Sequence, residues 1–112
     1  MPVCIQSDTV DAMYTVLRSS DFDAWLSALN DHTGKARILS RIDSAERGNL
    51  GDCASVGDGV HEMRVHVGPG YRVYFTIRGR LMIFLLLGGD KSTQKKDIRR
   101  AKAIVKLLGD AP

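Results

Sequence analysis

The chain has 112 residues, 44% of them hydrophobic and 26% charged, with a formal net charge of +3. This is enough for one domain with a real core, and the composition is ordinary for a soluble globular protein. No run approaches the length of a membrane-crossing helix, and the Met1 end shows no basic stretch followed by an apolar one, so the expectation is a cytoplasmic protein without a secretory signal.

The net charge hides a split. Residues 1–60 carry five Lys/Arg against nine Asp/Glu, a net of −4, and residues 61–112 carry eleven against four, a net of +7. A basic half at this contrast suggests a polyanionic partner. Cys4 and Cys53 are the only cysteines, and neither belongs to a C-x-x-C pair. No disulfide between them is expected in a reducing compartment. His32, His61 and His66 do not join them at metal-ligand spacing, so no metal and no cofactor is expected.

Residues 1–9 lack periodicity and read as a flexible start to a single domain spanning 1–112. In "DAMYTVLRS" (11–19), Met13, Thr15 and Leu17 alternate with Tyr14, Val16 and Arg18, which predicts a strand. Ser20 or Asp21 then caps a helix over about 21–30, with Phe22, Trp25, Leu26 and Leu29 on one stripe. A second helix is predicted over 33–47, with Ile38, Leu39, Ile42 and Ala45 inward and Gly48-Asn49 as its stop. "LGDCASVGDG" (50–59) is glycine-rich, lacks the spacing and Lys-Ser/Thr ending of a P-loop, and reads as a connection bordering a site.

Three strands are predicted next, at 60–67, 71–77 and 81–87. Met63, Val65 and Val67 alternate with Glu62, Arg64 and His66. After the turn Gly68-Pro69-Gly70, Tyr71, Val73, Phe75 and Ile77 alternate with Arg72, Tyr74 and Thr76. "LMIFLLL" is apolar throughout, as in a strand covered on both faces. Gly88-Gly89-Asp90 ends the sheet, and a final helix over 92–108 turns Ile98, Ala101, Val105 and Leu108 inward. Strand, two helices, three antiparallel strands and a helix make an α+β domain, β-α-α-β-β-β-α, with an antiparallel sheet packed against helices.

The simplest pairing across the turn sets Val67 opposite Tyr71, His66 opposite Arg72 and Arg64 opposite Tyr74. Arg64, His66, Arg72 and Tyr74 then share one polar patch on a solvated strand face, with Glu62 the one carboxylate placed to neutralise it. Two guanidinium forks beside a histidine and a tyrosine suit a phosphodiester. Lys95, Lys96, Arg99, Arg100, Lys102 and Lys106 can form one hydrated helix face. Of these, Lys95, Lys96 and Arg99, with Tyr74, are the candidate contacts for a polyanionic partner.

"VHEMRVHVGPGYRVYF" followed by "LLLGGDKSTQKKDIRRA", with "FDAWLSALND", "ARILSRIDSAERGNLGD" and "VGDGVHE", resembles the RelE/ParE superfamily of bacterial toxins. The branch it resembles is the HigB-like addiction module killer group, related to phage Gp49-like proteins. The resemblance implies a RelE-like fold and the toxin of a type II toxin–antitoxin module. It implies metal-independent cleavage of mRNA on the ribosome, with inhibition of translation, by attack of a ribose 2′-OH on the adjacent phosphate. Arg72 falls on the "YR" motif that supplies an active-site arginine, Arg64 on the "E-(L/M)-R" strand, and Lys91 on the basic position after the last strand. Face geometry adds His66 as a candidate base. Where several ribosome-dependent nucleases carry a tyrosine early in the last helix, this chain has Asp97. The implied partners are mRNA and the ribosome, and a HigA-like helix-turn-helix antitoxin through which alone the toxin would reach operator DNA; no membrane partner is implied. The alternative within the superfamily is a ParE-like toxin that poisons DNA gyrase by protein contact, without catalysis.

Overall fold

A computed structural model describes residues 13–79 and 81–109. The expected flexible start at residues 1–9 lies outside these, as does Cys4, and with it the expectation about a Cys4–Cys53 disulfide.

The chain runs β1 (Thr15–Arg18), α1 (Ser20–Ala28), α2 (His32–Glu46), β2 (Cys53–Gly57), β3 (Val60–Val65), β4 (Tyr71–Arg78), β5 (Met82–Asp90), a 3₁₀ turn (Lys91–Thr93) and α3 (Gln94–Leu108). The five strands form one sheet in the order β1-β5-β4-β3-β2. Antiparallel pairing joins β2 through β5, while β1 pairs parallel to β5. The α+β class is as the periodicity predicts, with two additions. The expected glycine-rich connection contains the edge strand β2. The sheet is mixed because β1 pairs parallel with β5, from which α1, α2 and β2–β4 separate it in the chain, a connection long enough for parallel pairing.

Local chemistry sets the helix ends. The N-cap of α1 is Ser19, one residue before the expected position. Its Oγ accepts from the Phe22 amide at 2.9 Å and donates to the Leu86 carbonyl at 2.5 Å, tying the helix start to β5. Asp31 caps α2 by accepting from the Gly34 amide at 3.0 Å, and its other oxygen accepts from the Tyr71 hydroxyl at 2.8 Å. One carboxylate thus anchors α2 to the first residue of β4.

Helices lie on both faces of the sheet. Phe22 and Leu26 of α1 and Ile38, Ile42 and Ala45 of α2 pack with Met63, Val65, Tyr71, Val73, Phe75, Ile83 and Leu85. On the opposite face, Ala101 and the half-buried Ile98, Ile104 and Val105 of α3 cover Val60, Tyr74, Leu86 and Leu87. Leu39 and Leu108, expected inward, are exposed. The central strand β4 is therefore buried on both sides from Tyr71 to Thr76, although its sequence alternates like a half-solvated strand. Its polar residues lie under α3.

Candidate functional site

The β3–β4 register differs from the simplest pairing. Val65 stands opposite Tyr71, Arg64 opposite Arg72, and Glu62 opposite Tyr74. The turn is longer than expected. The Val67 amide bonds back to the Val65 carbonyl at 2.9 Å and the Gly70 amide to the Val67 carbonyl at 3.1 Å, so β3 ends at Val65 and residues 66–70 form the loop. Gly68 and Gly70 hold φ of 57° and 82°, the left-handed region that glycine enters without steric cost. A shift of two residues keeps each side chain on its face. Arg64, Arg72, Tyr74 and Glu62 remain together, but His66 leaves the ladder.

Arg64 and Arg72 are thus direct cross-strand neighbours, a repulsive arrangement unless anions intervene. Glu62 intervenes from below, only 1% exposed. Its Oε1 accepts from Arg64 Nε at 3.2 Å, and its Oε2 accepts from the Tyr74 hydroxyl at 3.0 Å and from Gln94 Nε2 of α3 at 2.7 Å. Arg72 Nε stands 3.8 Å from the same Oε2, too far for a hydrogen bond, and this buried donor has no hydrogen-bond partner among the described residues. Burial and the Glu62 charge push the Tyr74 hydroxyl pKa far above its ordinary value, so it stays a neutral donor.

Asp52 supplies a second anion. Its Oδ1 lies 3.6 Å from Arg64 Nη1, and its Oδ2 meets His66 Nε2 in a short contact. Hydrogen bonding to His66 is the main cause of the lowered Asp52 pKa. Arg41 of α2 fixes the backbone around this group, donating to the carbonyls of Arg64 at 2.5 Å, Leu50 at 3.1 Å and Asp52 at 3.2 Å. One carboxylate therefore links His66, which is 68% exposed, to Arg64.

On the other side of Arg72 the glycines of β5 allow close approach. Gly89 pairs with Arg72, and a Cβ on Gly89 would come 2.0 Å from Asp97 Oδ2. Asp97 is buried and accepts from Thr93 Oγ1 at 2.5 Å. It anchors the first turn of α3. Lys91 follows Asp90, and its Cβ lies 3.6 Å, with Arg72 Nη1 3.8 Å, from where a Gly70 Cβ would stand. Lys91 and the Arg72 fork therefore flank the same glycine.

The structure brings Arg64, Arg72, Lys91 and, through Asp52, His66 to one end of the sheet. Two expectations are corrected. Arg72 is not on a solvated strand face: α3 leaves it 8% exposed. Tyr74 is fully buried with its hydroxyl bound to Glu62, so it is core and offers no surface to RNA. Lys95, Lys96 and Arg99 are exposed on the first half of α3, on the solvent side away from Gln94 and Asp97. Sequence reasoning missed Asp52, Gln94 and Arg41. Asp52 lies in the glycine-rich connection expected to border a site, where no pattern singled it out, and Arg41 reaches in from a helix whose pattern carries no signal for it. Gln94 was legible only as a polar residue at the start of a helix.

Residues 24–107, which include every one of these side chains, match the family described as phage-derived protein Gp49-like (DUF891). An uncharacterized protein of Haemophilus influenzae is 49% identical over 88 residues, covering 79% of this chain and 89% of that one. A match over this length, carrying the strands and helix that assemble the arginine pair, places the chain in the phage-derived Gp49-like family.

Proposed function

We propose that this protein is the toxin of a type II toxin–antitoxin module and acts as an endoribonuclease on ribosome-bound mRNA. The observation that carries the reading is the Arg72 guanidinium: rigidly held on β4, facing Arg64, beside Lys91, and donating no hydrogen bond within the described residues. The relation of the Gp49-like family to toxin families supports it.

In this reading the forks of Arg64 and Arg72 grip the scissile phosphate, and their charge stabilises the negative charge that develops on its oxygens. In the tautomer this mechanism uses, His66 donates its Nε2–H to Asp52 and keeps Nδ1 as an acceptor. Nδ1 takes the proton of the ribose 2′-OH as that oxygen bonds to phosphorus. The bond from phosphorus to the 5′-oxygen of the next nucleotide breaks, and Lys91 gives that oxygen a proton. The products are a 2′,3′-cyclic phosphate and a 5′-hydroxyl. Arginine cannot carry the proton, since its pKa stays above about 12. Lys95, Lys96 and Arg99 add exposed positive charge on α3 for the RNA or ribosome backbone. A helix-turn-helix antitoxin encoded beside the toxin is the partner that neutralises it.

One observation favours a second reading, a ParE-like toxin that binds DNA gyrase. Asp97 occupies the position of the helix tyrosine, and it faces inward onto Thr93. The experiment separates the two. Induction followed by mapping of RNA ends should show cleaved transcripts with 5′-hydroxyl termini, and co-expression of the neighbouring gene should restore growth. Whole transcripts with inhibited supercoiling by gyrase would replace the nuclease reading with the second one.

A further inference from the structure

Two buried carboxylates flank the Arg72 position without a hydrogen bond to it: Glu62 stands beside the side chain, and Asp97 lies over its register partner Gly89. Glu62 lies 3.8 Å from Arg72 Nε, and its Oε2 is already taken by the Tyr74 hydroxyl and Gln94 Nε2. Asp97 lies over Gly89, the register partner of Arg72, and is taken by Thr93 Oγ1. A carboxylate oxygen has room for about two donors, so at Glu62 Oε2, the oxygen that stands nearest Arg72 Nε, two neutral groups have filled the place that a guanidinium would otherwise claim. The consequence is a buried Arg72 Nε–H without a hydrogen-bond acceptor among the described residues, a destabilising feature that folded chains keep rarely.

We infer that Tyr74 and Gln94 are positioning residues that hold Glu62 away from Arg72, so that the arginine is balanced in charge but unbonded. This rests on the reading of this end of the sheet as a phosphodiester site. Glu62 makes it tolerable to bury Arg72 opposite Arg64, because its charge offsets theirs. A direct Glu62–Arg72 hydrogen bond would pull the fork inward and set it against incoming phosphate. Gln94 and Tyr74 prevent that from two directions, one on the first turn of α3 and one on β4 itself. How α3 is seated therefore decides whether Arg72 is free.

The test uses the full chain, labelled with nitrogen-15, and the variants Gln94→Leu, Tyr74→Phe, Glu62→Gln and the Glu62→Gln/Gln94→Leu double. Three readouts are taken: the Arg72 Nε–H resonance, affinity for inorganic phosphate and for a short 2′-O-methyl RNA, and a thermal melt. In Gln94→Leu and in Tyr74→Phe the freed lone pair takes Arg72, the Nε–H moves downfield, and affinity for both probes falls about tenfold, the scale of one hydrogen bond to a charged group. On the Glu62→Gln background the same Gln94→Leu change moves neither the resonance nor the affinity. A purely structural role would not be cancelled in this way. Unchanged resonance and affinity in both single variants overturn the inference, as does an affinity loss that persists beside Glu62→Gln. An intact Arg72 response in a protein that leaves transcripts whole supports the inference and removes the nuclease reading instead.

Discussion

Replacing Arg72 separates its charge from its shape. Its side chain is 10% exposed and its Nε lies 3.8 Å from Glu62, itself 1% exposed. Arg72→Ala leaves Glu62 with Arg64 as its nearest cation. Removing one partner of a buried pair costs roughly 3–5 kcal/mol. Glu62 keeps its bonds from Arg64, Tyr74 and Gln94, which places the expected loss at the low end, about 3 kcal/mol. At about 4 °C per kcal/mol for a domain of this size, the melt should fall by about 12 °C. A solvated strand-face position would shift by only about 0.5 kcal/mol. Arg72→Lys keeps the charge and most of the length, so its melt should stay within about 1 kcal/mol of the parent. It loses the planar two-point fork, and RNA cleavage should fall by about 10²–10³. The assay pairs thermal melts with cleavage on programmed ribosomes. An Arg72→Ala protein that melts with the parent would refute the charge-balance argument. A folded Arg72→Lys protein cutting at the parental rate would show that only a positive charge is needed there.

Gly89→Ala drives a methyl to 2.0 Å from Asp97 Oδ2, and Asp97 cannot yield without losing Thr93, so the first turn of α3 must shift. Overpacking of this kind costs about 1–3 kcal/mol, and a chemical melt that matches the parent would show that α3 is not seated on Gly89. Burial lowers the pKa of His61, which stacks on Phe75 at 5.3 Å, below the ordinary 6.5. The unfolded chain then binds the proton more tightly, so this residue's contribution is present above 6.5 and is lost as pH falls through the lower folded value. Denaturation curves of His61→Phe should lack that part of the slope, and an unchanged slope would assign it elsewhere. Asp52→Asn should leave the melt near the parent and lower cleavage by about 10-fold or more, since the base loses its orienting carboxylate. Cleavage unchanged in that variant would remove His66 from the proton transfer.

The amphipathic stripes of α1 and α2 and the alternation of β3 and β4 were legible because one face of each is committed to a single apolar core. Phe22, Leu26, Ile38, Ile42, Met63, Val73 and Phe75 read inward and are inward. The edge strand β2 was not legible, because Cys53–Gly57 has no alternation in its sequence. Parallel pairing of β1 with β5 had no local signal either, since strands distant in sequence choose partners by closing the sheet rather than by pattern.

The sequence by itself determined which residues share a face, and so it placed Arg64 and Arg72 together: parity along a strand survives any even shift of register. It also determined the excess of cations in residues 61–112. Only the tertiary structure decided what those arginines face. The loop at 66–70 set Arg64 opposite Arg72 and moved His66 out to Asp52. The seating of α3 on Gly89 buried Arg72 and Tyr74 and brought Gln94 onto Glu62. The reason is that charge balance in a buried cluster depends on distances of a few ångströms between elements far apart in the chain. No local pattern of residues encodes such distances; packing sets them.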